Sequence, residues 1–389
     1  MQPGATEVRP FELFFDLAFA FSLIQITNTI VYDDSALGVI HGLVVLCIVW
    51  MVWSGFTSLA NVGLPSGSGR DWRPPVFVLA MGLMLLVAIS IPTAFWQDDK
   101  LFAYSLGALG LTWFVAYLKL TAGSPELRRD VYRIAALALL LPASVIVSSY
   151  LPVTWLSVFL LGIGFAGAVG SSFVGRADQW PLGREHLVER YELFIIIALG
   201  ESLISIGLGA TTATRNAMLV ISILIAVLLV AVMWRAYLVG VCDTGRAHLE
   251  SLDARRAHRF SRIAYVYLHL VLAAGIILVA AGLKVAMADV TTDITPLFGA
   301  VLVIGLALFM LAVLVFRYLA TGRSEWWRLI GIAAVLAVWF AAGSTPDLVF
   351  LSLTTAVAIL GSWPDLLPSS TTVPSTRMRR SRHEGDPDG

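Results

Sequence analysis

A few polar residues interrupt an apolar chain, and their types and spacing are suited to moving protons. Glu12 and Asp16 lie four residues apart, so on a helix they share one face. Two carboxylates held together in a poor solvent do not both stay ionised, and one takes a proton or meets a cation. This suits a proton gate or an acid–base pair. It equally suits an interfacial pair bridged to Arg9 or to an arginine of a neighbouring loop. Glu201 lies near the middle of its apolar stretch beside Ser202, Ser205, Gly207 and Gly209. An acid at that depth requires a partner or a proton, although the small residues also fit a tightly packed seam. His269, with Tyr265 one turn before it, is the expected partner of Glu201, because imidazole titrates near neutrality. The plainer reading is a histidine satisfied within the core.

His186, Glu189, Arg190 and Glu192 gather at the start of the stretch that holds Glu201. His186 and Glu189 have the i, i+3 spacing of carboxylate–histidine metal sites. One such pair falls short of the three or four ligands a metal needs, so the group reads as an ion-pair network closing one mouth of the protein. Gln25, Thr27 and Asn28 either line a polar path or hydrogen-bond between helices. The candidate chemical residues are thus Glu201, His269, Glu12 and Asp16. The candidate path or gate residues are Gln25, Asn28, Tyr265, His186, Glu189, Glu192 and Arg190. No metal or cofactor is expected, since the chain carries no Gly-rich phosphate loop, His-Glu-x-x-His motif or nucleophile elbow.

These residues have to be positioned by elements that live in lipid. Of 389 residues, 58 % are apolar and only 13 % charged, and the mean hydropathy is +0.84. A soluble globular chain is about one quarter charged. Crossing the hydrocarbon core takes about 20 mostly apolar residues in a helix. The sequence offers about twelve such runs: 11–32, 38–60, 75–96, 101–120, 131–150, 152–173, 189–209, 216–240, 260–283, 295–319, 326–342 and 345–362. The predicted fold is all-α, a polytopic transmembrane helix bundle. Most of the 26 basic residues fall at the amino terminus, in the even-numbered connections and in the tail, against Lys100, Arg215 and Lys284 in the odd ones. Basic residues stay on the cytoplasmic side, which predicts a multi-pass cell-membrane protein with both termini in the cytoplasm. Lys119, Arg235 and Lys284 lie near span ends and are expected to snorkel. Trp50, Trp53, Trp96, Trp113 and Trp155 read as packing or interfacial aromatics. Cys47 and Cys242 rule out a disulfide scaffold. Zero net charge without a basic face excludes nucleic acid as a partner.

Phe11-Glu12-Leu13-Phe14 resembles Tyr191-Glu192-Leu193-Phe194, and Ser22-Leu23-Ile24 matches Ser202-Leu203-Ile204, at a constant offset of 180. This predicts two six-helix halves, 1–180 and 181–363, in a parallel 6+6 repeat. A disordered cytoplasmic tail is expected over 364–389, which is rich in Pro, Ser, Thr and charge.

Three segments carry a further likeness: Glu12-Leu13-Phe14-Phe15-Asp16-Leu17-Ala18-Phe19; His186 to Phe194 followed by Leu199-Gly200-Glu201-Ser202; and Tyr265-Val266-Tyr267-Leu268-His269-Leu270 with Gly282-Leu283-Lys284. Together they resemble the bacterial low temperature requirement protein A family. The resemblance implies a polytopic cytoplasmic-membrane protein and carries no accepted reaction. Three functions remain open. The first is a secondary transporter or permease with titratable intramembrane acids, taking an unknown small or lipophilic ligand and protons. The second is a membrane-embedded acid–base enzyme on a lipid or isoprenoid. The third is a sensor or assembly factor without turnover. Beyond the lipid bilayer, no partner and no oligomeric state can be read from the chain.

Overall fold

In a computed structural model, described over residues 9–62, 71–94, 100–152, 155–174, 180, 182–290, 293–341 and 345–366, every predicted span coincides with a helix. The first half comprises α1 (Pro10–Asp33), α2 (Ala36–Asn61), α3 (Arg73–Ser90), α4 (Leu101–Leu120), α5 (Pro125–Ala138), α6 (Leu140–Ser148) and α7 (Trp155–Ser171). Then follow α8 (Arg184–Ala210), α9 (Ala217–Tyr237), α10 (Asp243–Ser251), α11 (Ala254–Phe260), α12 (His269–Ala288), α13 (Pro296–Thr321), α14 (Trp327–Val338), α15 (Asp347–Gly361) and α16 (Trp363–Leu366). Among the described residues, nine helices are long and apolar enough to cross a membrane, with shorter apolar helices at α7, α14 and α15. Arg70, Trp96, Arg176 and the tail from 367 onward, with its arginines, lie outside the described residues.

The departures from the predicted boundaries have local causes. The fifth span starts at Pro125 rather than 131, because Ser124 accepts a hydrogen bond from the Leu127 N–H and Pro125 suits the first helical turn. It breaks at Leu139, since Pro142 has no N–H to donate and its ring crowds the carbonyl of Ala138. The eighth span runs past 240 through a π-helical segment, Leu238–Cys242, into α10. The ninth starts at α11, capped by Asp253, and passes through a second π-helical segment, Ser261–Leu268, into α12.

The long helix Ala254–Ala288 sits at the centre, with 72 % of its most apolar stretch buried against 28 % for Pro125–Ser148. Small residues allow this. A Cβ placed on Gly275 would lie 2.7 Å from the Gly305 carbonyl of α13, and one on Gly282 would lie 2.7 Å from Leu302 Cβ. The two backbones pass close enough for dispersion to hold them where no hydrophobic force acts between helices.

The tail boundary also moves. Asp365, placed by sequence in the disordered tail, is buried in α16 and accepts both Arg328 Nη1 (2.7 Å) and Nη2 (2.8 Å). Glu325, in the connection before α14, accepts Arg317 Nη2 at 2.6 Å and pairs with Arg328 Nε. Burial pushes the Glu325 carboxyl up, but the two guanidinium groups outweigh it and hold the carboxyl below its ordinary 4.5. A depressed carboxyl contributes stability above its unfolded value and loses it as pH falls through the lower folded one. The thermal midpoint of the wild type should therefore drop as pH is taken below 4.5, and Glu325→Gln should flatten that part of the profile. Superimposable profiles would remove Glu325 from the clasp.

Candidate functional site

Three helices, α1, α8 and α12, pack side by side and run in the same direction. Glu12 meets His186 and Asp16 meets Arg190, both across 174 residues, and Thr27 faces Glu201 at the same spacing. A constant spacing over that length means two parallel helices in register. Tyr191 likewise lies against His269 and Gly209 against the Lys284 backbone, so α12 follows the same sense.

At the amino-terminal end of this seam lies a buried ion cluster. Glu12 Oε2 is 2.8 Å from His186 Nε2, and Arg190 Nη2 donates to Asp16 Oδ1 at 2.8 Å. The guanidinium also stands 3.8 Å from Glu12 Oε2, and Trp53 Nε1 donates to Asp16 Oδ1 at 2.9 Å. The acids come from α1, the histidine and arginine from α8 and the indole from α2. Their spacing follows from helix geometry, because residues four apart on each helix present one face. Two carboxylates face one guanidinium, with the His186 ring against Glu12. Glu12 Oε1, Asp16 Oδ2, His186 Nδ1, Arg190 Nε and Arg190 Nη1 are buried without a hydrogen-bond partner. Such groups are costly in an apolar interior.

This arrangement corrects several expectations. Arg9 does not bridge Glu12 and Asp16; it pairs with Asp71 at 2.6 Å. The bridging arginine comes instead from the far half of the chain. The expected four-residue group at the start of α8 divides, because those residues point to different sides of the helix. His186 and Arg190 face α1, whereas Glu192 turns away and accepts Arg246 Nη2 at 3.1 Å. Glu189 is half-buried and forms no ion pair among the described residues. No group of three or more His, Cys, Asp or Glu among the described residues is placed to hold a metal.

Above the cluster the seam is closed by aromatic rings. Phe194 packs against Phe19 (5.2 Å between centroids), Trp50 (5.0 Å) and Trp53 (4.6 Å). Beyond this plug, roughly 16 Å from Arg190 along the helix at 1.5 Å per residue, lies a second polar layer. Glu201 is 3 % exposed and accepts Ser205 Oγ at 2.8 Å. Thr27 faces the same carboxylate without reaching hydrogen-bond geometry, and Glu201 Oε2, Thr27 Oγ1 and Ser202 Oγ are buried without partners. Lys284 of α12 is the cation within electrostatic reach of Glu201, and its Nζ donates to Asn28 Oδ1 at 2.5 Å. Asn28 in turn donates to Gln25 Oε1 at 3.4 Å. Gly209 packs tightly on α12, whereas Gly207 faces outward into open space.

His269 therefore does not partner Glu201. Its Nδ1 bonds the Ala264 carbonyl at 2.8 Å and its Nε2 the Tyr237 hydroxyl at 3.1 Å. The ring stacks on Tyr265 at 5.1 Å, and the Tyr265 hydroxyl is buried without a partner. The carbonyl that holds the ring belongs to the π-helical segment just before His269. Trp50 Nε1 takes Val266 O of the same segment at 2.9 Å. The partner that sequence reasoning missed was Lys284, read as snorkelling. Its signal was its position, one of few cations on the otherwise cation-poor side of the predicted topology.

Apolar helices facing lipid on the outside, around a seam of buried acids and cations, define a multi-pass all-α membrane protein with an ionisable interior. The chain belongs to the bacterial low temperature requirement A protein (LtrA) family, whose family model matches residues 7–362. It is 28 % identical over 287 residues to an uncharacterized protein of Rhizobium meliloti, covering 70 % of this chain and 67 % of that relative. No solved structure matches it.

Proposed function

We propose that the protein is a proton-coupled secondary transporter whose working seam is α1–α8–α12, with Glu201 as the group that exchanges the proton. The observation that carries this reading is the pair of buried polar layers in one register, separated by an aromatic plug. Charged groups buried in a membrane protein mark ion or substrate pathways, and transporter sites sit where repeats meet, near the midplane. The Glu12–Asp16–His186–Arg190 cluster gates the cytoplasmic mouth, and Phe19, Trp53 and Phe194 separate it from the Glu201 layer. Lys284, Asn28 and Gln25 form the path on the other side. In this reading α1 and α8 open two parallel six-helix halves, which agrees with their common direction. The chain then crosses the cell membrane twelve times, with both termini in the cytoplasm.

Everted vesicles with an acridine dye reporting the pH gradient test this. Among amino acids, sugars, organic anions and organic cations, at least one class should discharge the gradient in wild-type vesicles. Glu201→Gln should cut that response about tenfold or more, at equal protein in the membrane. A solute that discharges both gradients equally would remove Glu201 from the coupling step.

A further inference from the structure

On the far face of α2 from the ion cluster lies a cavity of about 330 Å³, open at one side and walled by α2, α4, α5, α6, α7, the start of α8 and the π-helical segment before α12. Trp53 and Thr57 of α2 face the ion cluster, whereas Met51, Ser54, Gly55 and Ser58 face this cavity. Its wall is graded. Towards the middle of the helices it is apolar, with Met51, Leu106, Leu109, Leu139 and Pro142. Towards the end where α2 and α4 finish and α8 begins, it becomes polar, with Asn61, Tyr117, Trp180, His258, Ser261 and Arg262. No carboxylate among the described residues lines it.

Arg262 is the informative residue. Its Nη1 donates to the Ser172 carbonyl at 2.7 Å and its guanidinium lies over the Phe173 ring at 4.2 Å, yet it forms no ion pair among the described residues. In the same wall Ser261 is 7 % exposed with its Oγ unpartnered, and Arg262 Nε, Trp180 Nε1 and Asn61 Oδ1 are likewise buried without partners. Three of these four atoms are donors. A half-buried cation without an acid, beside unused donors, calls for an anion.

We propose that this cavity binds a single-chain anionic amphiphile, its carboxylate or phosphate head against Arg262 and its chain along α2 and α4 towards Pro142. The volume is at the low end for small-molecule sites, about 300–1,000 Å³, which suits one chain rather than two. This does not depend on the transport reading, because none of the residues of the ion cluster or of the Glu201 layer lines the cavity.

Native mass spectrometry of the full chain released from phosphatidylcholine nanodiscs tests the proposal. Nanodiscs are incubated with dodecyl phosphate, dodecanoate, dodecyltrimethylammonium or inorganic phosphate. One retained dodecyl phosphate or dodecanoate per chain is expected, and whichever is retained identifies the head group. Arg262→Gln should weaken retention about tenfold or more, the loss expected for one charge-assisted contact. Arg262→Lys, which keeps the charge, should retain most of it, and Ala168→Trp should lose it by filling the space. Equal retention of the cationic amphiphile, or unchanged retention in Arg262→Gln, would mean apolar filling only and overturn the proposal. So would retention of inorganic phosphate alone, which would mark a free-anion site.

Discussion

Arg190→Leu is expected to abolish accumulation of folded protein in the membrane, the largest effect of any single substitution in the seam. Arg190 is fully buried and stands between Asp16 at 2.8 Å and Glu12 at 3.8 Å. Removing it leaves two acids facing each other in an apolar interior, with only the His186 ring beside Glu12. Breaking a buried pair by deleting one partner costs about 3–5 kcal/mol, against a total stability of about 5–15 kcal/mol. The cost arises from the charges left behind rather than from the lost attraction. The neutral triple variant Glu12→Gln, Asp16→Asn and Arg190→Leu should therefore recover most of the yield and thermal midpoint lost by Arg190→Leu alone. Yield and monodispersity by size-exclusion chromatography in detergent, with thermal unfolding, measure both. Wild-type stability in Arg190→Leu would show that the guanidinium does not balance these acids. If the cluster gates transport, the triple variant separates the two roles: it should fold and yet fail to discharge a proton gradient.

Gly275→Leu should be nearly as severe, for a steric reason. A Cβ at Gly275 would stand 2.7 Å from Gly305 O and 2.8 Å from Phe309 N, both backbone atoms of α13. Neither can swing aside as a side-chain tip would, so α12 and α13, which lie in the two most buried of the described long spans, must move apart. Overpacking a core typically costs about 1–3 kcal/mol, and a backbone obstacle on both sides places this site at or above the upper figure. Gly82 of α3 is the control, since a Cβ there meets nothing within 4 Å and the residue faces outward. Gly82→Leu should leave the thermal midpoint unchanged or raise it slightly, because glycine costs a helix interior about 1 kcal/mol relative to alanine. Equal behaviour of the two variants would mean that α12 and α13 are not held by close backbone approach.

Helix positions were legible because the solvent enforces them. A backbone crossing lipid must satisfy its own hydrogen bonds within about 20 apolar residues. The run lengths alone therefore locate the helices, and the residues that break the apolar pattern stand out as buried ionisable groups. Local punctuation sets the boundaries that moved: Ser124 and Asp253 act as caps and Pro142 as a breaker. The Asp365–Arg328 clasp was missed because a charged residue in a polar tail looks solvated until its partner 37 residues earlier is known.

Helical periodicity states which residues share a face, and so it joined Glu12 with Asp16, while the group of His186, Glu189, Arg190 and Glu192 divides in the structure. It does not state which helix that face meets. The same pattern allowed Arg9 to bridge the acids and His269 to reach Glu201. Packing decided otherwise: Gly209 brings α8 onto α12 at Lys284, some fifteen residues beyond His269, and so sets Lys284 against Glu201. The register of α1 on α8 brings together residues 174 apart. A contact made across that much chain has no local signature, because it is set by the shapes of all the helices between.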